Sequence, residues 1–214
     1  MKKIYLIRHG RQDDARCNVN VPLSEAGHKQ AILLGQRMIN YGIDKLYSSH
    51  LIRAVETARE MNQYLNVPYE EVDGIEEIDF GDMTGRTAED VKAHFTEFAM
   101  ERNTWETDLA YPGGENGADV IKRAYPMLMN ILSGSETSIA IVTHGGVIRA
   151  LVAHVLGKDL RYKLQFAKGL ENCSITELLW DEENNRFYLE RLNDYAHLES
   201  YQELLRSNGN MIQL

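Results

Sequence analysis

Two histidines occupy matching places in the sequence, and imidazole is the side chain best suited to nucleophilic and proton-transfer chemistry near neutral pH. His9 ends an apolar run that begins at Lys3, His144 ends one that begins at Ser138, and a glycine follows each. Both runs have the length and apolar content of buried strands. In an open parallel sheet, ligands bind at the carboxyl ends of strands, so we expect both histidines to face one site. Two alternatives stay open, namely histidines that only end a strand and metal ligands, although the sequence has no HxH, HxD or HExxH pattern.

An arginine and an acidic segment accompany the histidines. Arg53 falls in the first turn of a predicted helix, where the helix dipole disfavours positive charge, and this favours an anion held by Arg53. The alternative is a surface ion pair of Arg53 with Glu56 or Glu60. The segment Gly74–Gly85 interleaves acidic and apolar residues and, taken alone, is typical of an exposed loop.

The elements that position these residues follow from the spacing of apolar side chains. Ser24, Ser49 and Thr87 are predicted to cap the helices that follow them, and Pro126 is predicted to bend its helix or to stand in its first turn. The alternation of strands and helices predicts an α/β fold, a three-layer αβα sandwich with a mainly parallel central sheet in a single domain, 1–214. Strands are predicted over 4–7, 45–48, 68–72, 139–142, 174–180 and 186–192, and helices over 24–40, 51–65, 87–102, 118–132, 146–156 and 198–206.

Composition excludes several classes of partner. The chain has 214 residues with 43% hydrophobic and 26% charged side chains, which suits a folded core. Its 23 basic and 32 acidic residues give a net charge of −9, which argues against nucleic acid or an anionic membrane surface as partner. The first apolar run stops at Arg8, too early for a secretion signal, and Cys17 and Cys173 form no CxxC pair. We expect a soluble cytoplasmic protein whose oligomeric state the sequence leaves open.

These residues together resemble the histidine phosphatase superfamily, in the branch of phosphoglycerate mutase-like small-molecule phosphatases. The resemblance covers most of the chain. One departure follows the first motif, where Arg11-Gln12 supplies an amide but no hydroxyl near the pocket. The resemblance rests on segments that occur in the family's order: Arg8-His9-Gly10, Pro22 to Gly27, Ser48 to Ala58, Glu77 to Gly81 and Thr143 to Gly146.

The resemblance implies roles for the matching residues. His9 would attack phosphorus and become phosphohistidine, for which its reacting nitrogen must be unprotonated. Positive side chains would hold the phosphoryl oxygens, so neither a metal ion nor a cofactor is expected. The predicted phosphate-binding residues are Arg8, Arg53, His144, Gly145 and Gln12.

The resemblance also implies a general acid and base. Glu77 would protonate the leaving oxygen and later take a proton from the water that opens phosphohistidine. Glu76 is the competing assignment. Glu77 is preferred because it stands four positions before Gly81, as in the family pattern.

The implied activity is that of a metal-independent phosphomonoesterase, a histidine acid-type phosphatase acting on a small phosphorylated metabolite. A phosphoglycerate mutase-type phosphotransferase is the nearest alternative and would need basic residues for a second anionic group of its substrate. A non-catalytic phosphate-binding module and a metal-dependent hydrolase are further alternatives, the former disfavoured because the catalytic set is complete. The scattered basic residues between Glu77 and His144 favour hydrolysis over the mutase reaction. They are Arg86, Lys92, Arg102, Lys122 and Arg123.

Overall fold

The computed structural model describes residues 1–206 and contains a six-stranded sheet of order β3-β2-β4-β1-β5-β6. The strands β3, β2, β4 and β1 run parallel, and β5 and β6 add an antiparallel hairpin beside β1. The sheet is therefore mainly parallel, as predicted. The strands are β1 (Lys2–Arg8), β2 (Lys45–Ser48), β3 (Tyr69–Glu71), β4 (Ser138–Thr143), β5 (Ile175–Asp181) and β6 (Arg186–Asp194).

Helices cover both faces of this sheet. Because side chains alternate across a strand, Ile4 and Leu6 of β1 pack in one core and Tyr5 and Ile7 in another. The first core includes α5 and α6, and the second includes α1 and α2. The predicted three-layer αβα sandwich is confirmed. The helices are α1 (Glu25–Met38), α2 (Ile52–Leu65), α3 (Ala88–His94), α4 (Thr96–Arg102), α5 (Gly117–Leu132) and α6 (Gly145–Val155).

The single helix predicted over 87–102 is wrong. Thr87 caps its start as predicted, with its hydroxyl accepting from the amide of Asp90 at 3.2 Å. The chain leaves helical geometry at Phe95, which separates α3 from α4. This turn lets Val91 of α3 and Phe98 of α4 both pack on the same core.

The helix predicted over 198–206 is also wrong, because the amides of this segment donate three residues back rather than four. The amides of Tyr201, Leu204 and Leu205 donate to the carbonyl oxygens of Leu198, Tyr201 and Gln202. The segment forms two short 3₁₀ turns, Ala196–Leu198 and Gln202–Leu204. Arg11 donates to the carbonyl oxygens of residues 204 and 205, and Gln30 donates to that of residue 204. Pro126 lies inside α5, beyond its first turn.

Three strand ends meet at one edge of the sheet. Arg8 at the end of β1 is in register with Thr143 at the end of β4, and Ser48 at the end of β2 is in register with Val142. The residues that follow these strands are therefore neighbours, as the parallel arrangement predicts.

Over residues 1–206, no helix combines the length and the apolar character needed to cross a membrane. Cys17 and Cys173 are buried free thiols. The predicted domain 1–214 includes residues 207–214, which lie outside the described part of the chain.

Candidate active site

The hydrogen bonds of His9 fix which of its ring nitrogens is free to react. Its Nδ1 lies 2.7 Å from the carbonyl oxygen of Gly10 and must donate, because a carbonyl oxygen only accepts. Its Nε2 accepts from Nε of Arg53 at 3.2 Å. Burial, with Arg53 and Arg8 close by, holds the pKa of His9 well below its usual range. His9 is therefore a neutral imidazole whose Nε2 carries the lone pair.

Arg53 is buried beneath the cleft, with 1% of its surface exposed. Besides His9, its guanidinium donates to the carbonyl oxygen of Val19 at 3.0 Å and to Oδ1 of Asn18 at 3.1 Å. The surface ion pair considered from the sequence is wrong, because Glu56 and Glu60 have other partners. Arg53 instead belongs to the site.

His144 packs against His9, with ring centroids 5.0 Å apart, and is fully buried. Its Nε2 lies 3.0 Å from Oγ of Ser49, and the same Oγ accepts from the amide of Leu51 at 3.2 Å. Because Oγ of Ser49 has one proton and two lone pairs, it can donate to Nε2 or accept from it while also accepting from Leu51. Within residues 1–206, Nδ1 of His144 has no hydrogen-bond partner.

Ser49 was predicted to cap α2, and that prediction is wrong. The N-cap is Leu51, and its side chain makes no capping hydrogen bond. The hydroxyl of Ser49 is used on His144 instead.

Arg8 lies over the first residues of α6. Its Nη1 donates to the carbonyl oxygen of Leu170, and its Nε is buried without a partner among the described residues. A Cβ at Gly145 would lie 3.7 Å from Nε of Arg8, so glycine here leaves open space between the helix start and the guanidinium. Burial lowers the pKa of Arg8 well below its usual range.

The carboxylate of Glu77 accepts a hydrogen bond from an amide at the start of α6. Its Oε1 accepts from the amides of Ile78 at 3.0 Å and Gly146 at 2.9 Å. A Cβ at residue 146 would come within 2.5 Å of this oxygen, so only glycine permits the contact. The carboxylate is therefore held at a fixed place on the cleft wall.

Glu76 is held away from the cleft. Its oxygens accept from the amide of Gly74 at 2.9 and 3.0 Å, and Oε2 pairs with Arg123 at 3.2 Å. Of the two neighbouring carboxylates, Glu77 is the one that lines the cleft.

The cleft has a volume of about 1390 Å³ and its wall includes most of the predicted site residues. His144 lies behind His9 and is absent from that wall. Gln12 is on the wall, and its Nε2 donates to the carbonyl oxygen of Asp14 at 2.6 Å. The predicted residues on the wall are Arg8, His9, Gln12, Arg53, Glu77 and Gly145.

The structure adds basic residues that the sequence did not group. Of the five scattered between Glu77 and His144, only Arg102 lines the cleft. Four later residues join it from separate segments, and no spacing pattern could have connected them. They are Arg149, Lys163, Lys168 and Arg206.

Two further side chains support the site. Asn18 holds Arg53, and Nδ2 of Asn172 donates to the carbonyl oxygen of His9 at 2.9 Å. Neither Asn18 nor Asn172 was among the site residues predicted from the sequence.

One group of possible metal ligands occurs in the described part of the chain. It comprises His50, Asp73 and Glu76, whose ligand atoms lie within 4.8 Å of one another. Neither His9 nor His144 belongs to it.

Comparison with known proteins supports a common family. The 6-phosphofructo-2-kinase/fructose-2,6-bisphosphatase 1 of Rattus norvegicus is 30% identical over 163 residues, which are 74% of this chain and 33% of that protein. This chain thus spans about a third of that relative. The uncharacterized phosphatase PhoE of Bacillus subtilis (strain 168) is 28% identical over 207 residues, 94% of this chain and 99% of that one.

Solved structures agree in fold. A structure of mycobacterial glucosyl-3-phosphoglycerate phosphatase is 26% identical, with a TM-score of 0.81, and the match covers 91% of this chain and 100% of that one. The profile of the histidine phosphatase superfamily (branch 1) matches residues 4–195. The chain therefore belongs to the histidine phosphatase superfamily, branch 1.

Proposed function

We propose that the protein is a metal-independent phosphomonoesterase of the histidine acid type, which hydrolyses a small phosphorylated metabolite in the cytoplasm. The observation that carries the proposal is the hydrogen bonding of His9. Its Nδ1–H donates to the carbonyl oxygen of Gly10, and its unprotonated Nε2 accepts from the guanidinium of Arg53. A neutral imidazole held in one tautomer is what a nitrogen nucleophile requires.

The surrounding donors suit a phosphoryl group at Nε2. Within the described residues, Arg8 has a buried Nε–H without a partner, and His144, which packs against His9, has a buried Nδ1 without one. With the hydroxyl of Ser49 donating to Nε2 of His144, that Nδ1 carries a proton. Arg53 would turn its Nε–H from the ring to a phosphoryl oxygen. Together they supply the positive field that phosphoryl transfer needs, with Gly145 and Gln12 bordering the same space.

The reaction divides into two balanced steps. In the first, Nε2 of His9 forms a bond to phosphorus as the ester P–O bond breaks, and protonated Glu77 gives its proton to the leaving oxygen. In the second, water attacks phosphorus, the N–P bond breaks, and the proton lost by water goes to Glu77. The sum is ester plus water giving alcohol plus phosphate, and the acid is regenerated.

The relatives support a small substrate. The name of the rat protein includes fructose-2,6-bisphosphatase, and the mycobacterial structure is that of a glucosyl-3-phosphoglycerate phosphatase. Both names describe removal of phosphate from a small metabolite. We extend this substrate class to the present chain.

Hydrolysis of p-nitrophenyl phosphate in EDTA tests the proposal. We expect turnover by the wild type, none by His9→Ala, and normal turnover by His28→Ala, a histidine that pairs with Glu60 outside the cleft. Turnover lost on chelation would favour the metal-dependent hydrolase. Isomerisation of phosphoglycerates without phosphate release would favour the mutase, and binding without turnover the non-catalytic module.

A further inference from the structure

The tautomer of His9 depends on the orientation of one peptide unit, the one between Gly10 and Arg11. The Nδ1–H of His9 donates to the carbonyl oxygen of Gly10 at 2.7 Å. In a planar trans peptide the C=O and the N–H point in opposite directions, so this peptide, if turned over, would present the N–H of Arg11 instead. Nδ1 would then have to accept, and the ring proton would move to Nε2. The lone pair proposed to attack phosphorus would be lost.

Gln30 of α1 holds this peptide from its other side. Its Oε1 accepts from the backbone N–H of Arg11 at 2.8 Å, and its Nε2 donates to the carbonyl oxygen of Leu204 at 2.7 Å. A backbone N–H only donates and a carbonyl oxygen only accepts, so both ends of the Gln30 amide are determined. The side chain is fully buried, where a polar group needs such partners. Gln30 therefore fixes the N–H of the peptide and, through the rigid plane, directs its C=O toward His9.

Thr57 of α2 holds the preceding peptide. Its Oγ1 accepts from the backbone N–H of Gly10 at 2.9 Å and donates its proton to the carbonyl oxygen of Arg53 at 2.6 Å. Thr57 is also fully buried, and a Cβ at Gly10 would lie 2.8 Å from the carbonyl oxygen of Gly27, so α1 packs directly on this turn. The two peptides that flank Gly10 are therefore held by one side chain from each of two helices.

The orientation of the Gly10 carbonyl matters most during phosphoryl transfer. In the resting protein the Nε–H of Arg53 also keeps Nε2 of His9 unprotonated. In the proposed reaction this N–H turns to a phosphoryl oxygen, and the carbonyl oxygen of Gly10 stays on the ring. As Nε2 bonds to phosphorus the imidazole gains positive charge, and a carbonyl oxygen that accepts from Nδ1–H stabilises that charge.

We propose that Gln30 and Thr57 are positioning residues for the nucleophile. By fixing the peptides on either side of Gly10, they keep the proton of His9 on Nδ1 and the lone pair on Nε2. The inference rests on the proposed phosphatase function, in which His9 attacks phosphorus. Neither Gln30 nor Thr57 belongs to the cleft wall, so both act through the backbone rather than on the substrate.

Nitrogen chemical shifts of the His9 ring test the proposal in the resting protein. Protonated and unprotonated ring nitrogens differ in shift, and the signals of His9 are those that are missing from His9→Ala. We expect the wild type to carry its ring proton on Nδ1 near neutral pH, where the low pKa of His9 keeps the ring uncharged. A wild-type ring with its proton on Nε2 would contradict the proposal without any variant.

Gln30→Met is the principal variant, because methionine has a similar length but no amide oxygen to accept from Arg11. We expect the Nε2–H tautomer of His9 to appear. We also expect kcat for p-nitrophenyl phosphate to fall about 3- to 10-fold, the effect of one net hydrogen bond, with KM changed much less.

Arg11→Met is the matched control for the loss of the contact between Gln30 and Leu204. It removes the guanidinium hydrogen bonds to the carbonyl oxygens of Leu204 and Leu205 but keeps the backbone N–H that donates to Gln30. We expect this variant to show the wild-type tautomer of His9. A looser C-terminal segment would then be excluded as the cause of the shift in Gln30→Met.

Two variants at Thr57 test the same turn independently of how Gln30→Met folds. Thr57→Val keeps the shape of the side chain but loses the hydroxyl, so it should move the proton of His9 in the same direction. Thr57→Ser keeps the hydroxyl and should retain the wild-type tautomer. A merely structural role would lower the temperature of thermal unfolding without moving the proton.

The tautomer is measured without substrate, so the positioning roles and the phosphatase proposal can fail separately. A shift to the Nε2–H tautomer in Gln30→Met or Thr57→Val supports the positioning roles even if the wild type releases no phosphate. The wild-type tautomer in both variants, or an equal shift in Arg11→Met, would overturn these roles and leave the phosphatase proposal intact.

Discussion

Arg53 donates its Nε–H to Nε2 of His9 at 3.2 Å, so the same guanidinium that faces the cleft also holds the ring nitrogen proposed to attack phosphorus. The contact has two consequences. It keeps Nε2 unprotonated, and it places a positive charge where the phosphoryl oxygens would lie. Both can be tested separately.

The charge of Arg53 sets the protonation of His9. After burial, Arg53 is the largest cause that holds the pKa of His9 below its usual value of 6.5, so removing its charge raises that pKa. We expect the wild-type ring, followed by NMR titration, to stay neutral as the pH falls from about 8 to about 6. In Arg53→Gln, protonation of His9 should begin at higher pH. Arg53→Lys keeps the charge and should keep the pKa low, and identical titrations of the two variants would exclude this role.

Glu77 as general acid predicts a dependence on the leaving group. Gln at residue 77 can still accept from the amide of Gly146 but cannot give up a proton at this step. We expect Glu77→Gln to lower kcat about 100- to 10,000-fold for alkyl phosphates. The loss should be smaller for p-nitrophenyl phosphate, whose leaving oxygen needs no proton. Glu76→Gln, checked for thermal stability, is the control, and an equal loss in both variants for all esters would contradict the assignment.

Ser49 acts on His144 as a positioning residue. We expect its hydroxyl to donate to Nε2 and so to keep the imidazole proton on Nδ1, and Ser49→Ala then frees the other tautomer. Nitrogen chemical shifts of His144 should report mixed tautomers, with kcat lowered about 3- to 10-fold, the effect of one net hydrogen bond. Ser48→Ala is the matched control, because the buried hydroxyl of Ser48 contacts Tyr69 and the carbonyl oxygen of Ser49. An unchanged tautomer in Ser49→Ala would rule out this role.

The absence of a side chain at Gly146 is needed for the position of the Glu77 carboxylate. A Cβ there would lie 2.5 Å from Oε1 of Glu77 and 2.6 Å from Cγ2 of Ile78. We expect Gly146→Ala to displace the carboxylate and to show the leaving-group dependence of Glu77→Gln. Gly145→Ala meets no atom nearer than 3.7 Å and serves as the control for thermal stability. Wild-type rates for alkyl phosphates in Gly146→Ala would show that catalysis does not need the carboxylate of Glu77 in this position.

The sequence predicted the sheet, the layers and the gathering of the site because these depend on local patterns. An apolar run followed by His-Gly is visible at both His9 and His144, and parallel strands must bring their carboxyl ends together. The failures are those of tertiary context. Phe95 ends a helix because both sides of it reach one core, and the segment from Ala196 to Leu204 forms 3₁₀ turns, after which Arg11 binds the carbonyl oxygens of Leu204 and Leu205.

The basic residues that later segments bring to the cleft could not be grouped from the sequence for the same reason. Arg102 comes from α4, Arg149 from α6 and Arg206 from the segment after β6. A search for basic residues between Glu77 and His144 could meet only the first of them. Their common cleft is created by packing, which no local spacing encodes.

Trapping the intermediate tests the central claim most directly. Wild-type protein is mixed with a ³²P-labelled phosphomonoester, quenched in alkali within the first turnover and digested, and the labelled peptide is identified. We predict an acid-labile, alkali-stable label on Nε2 of His9, formed before phosphate is released and absent from His9→Ala. Release of phosphate by the wild type with no labelled protein at any time, or a label on another residue, would contradict the account.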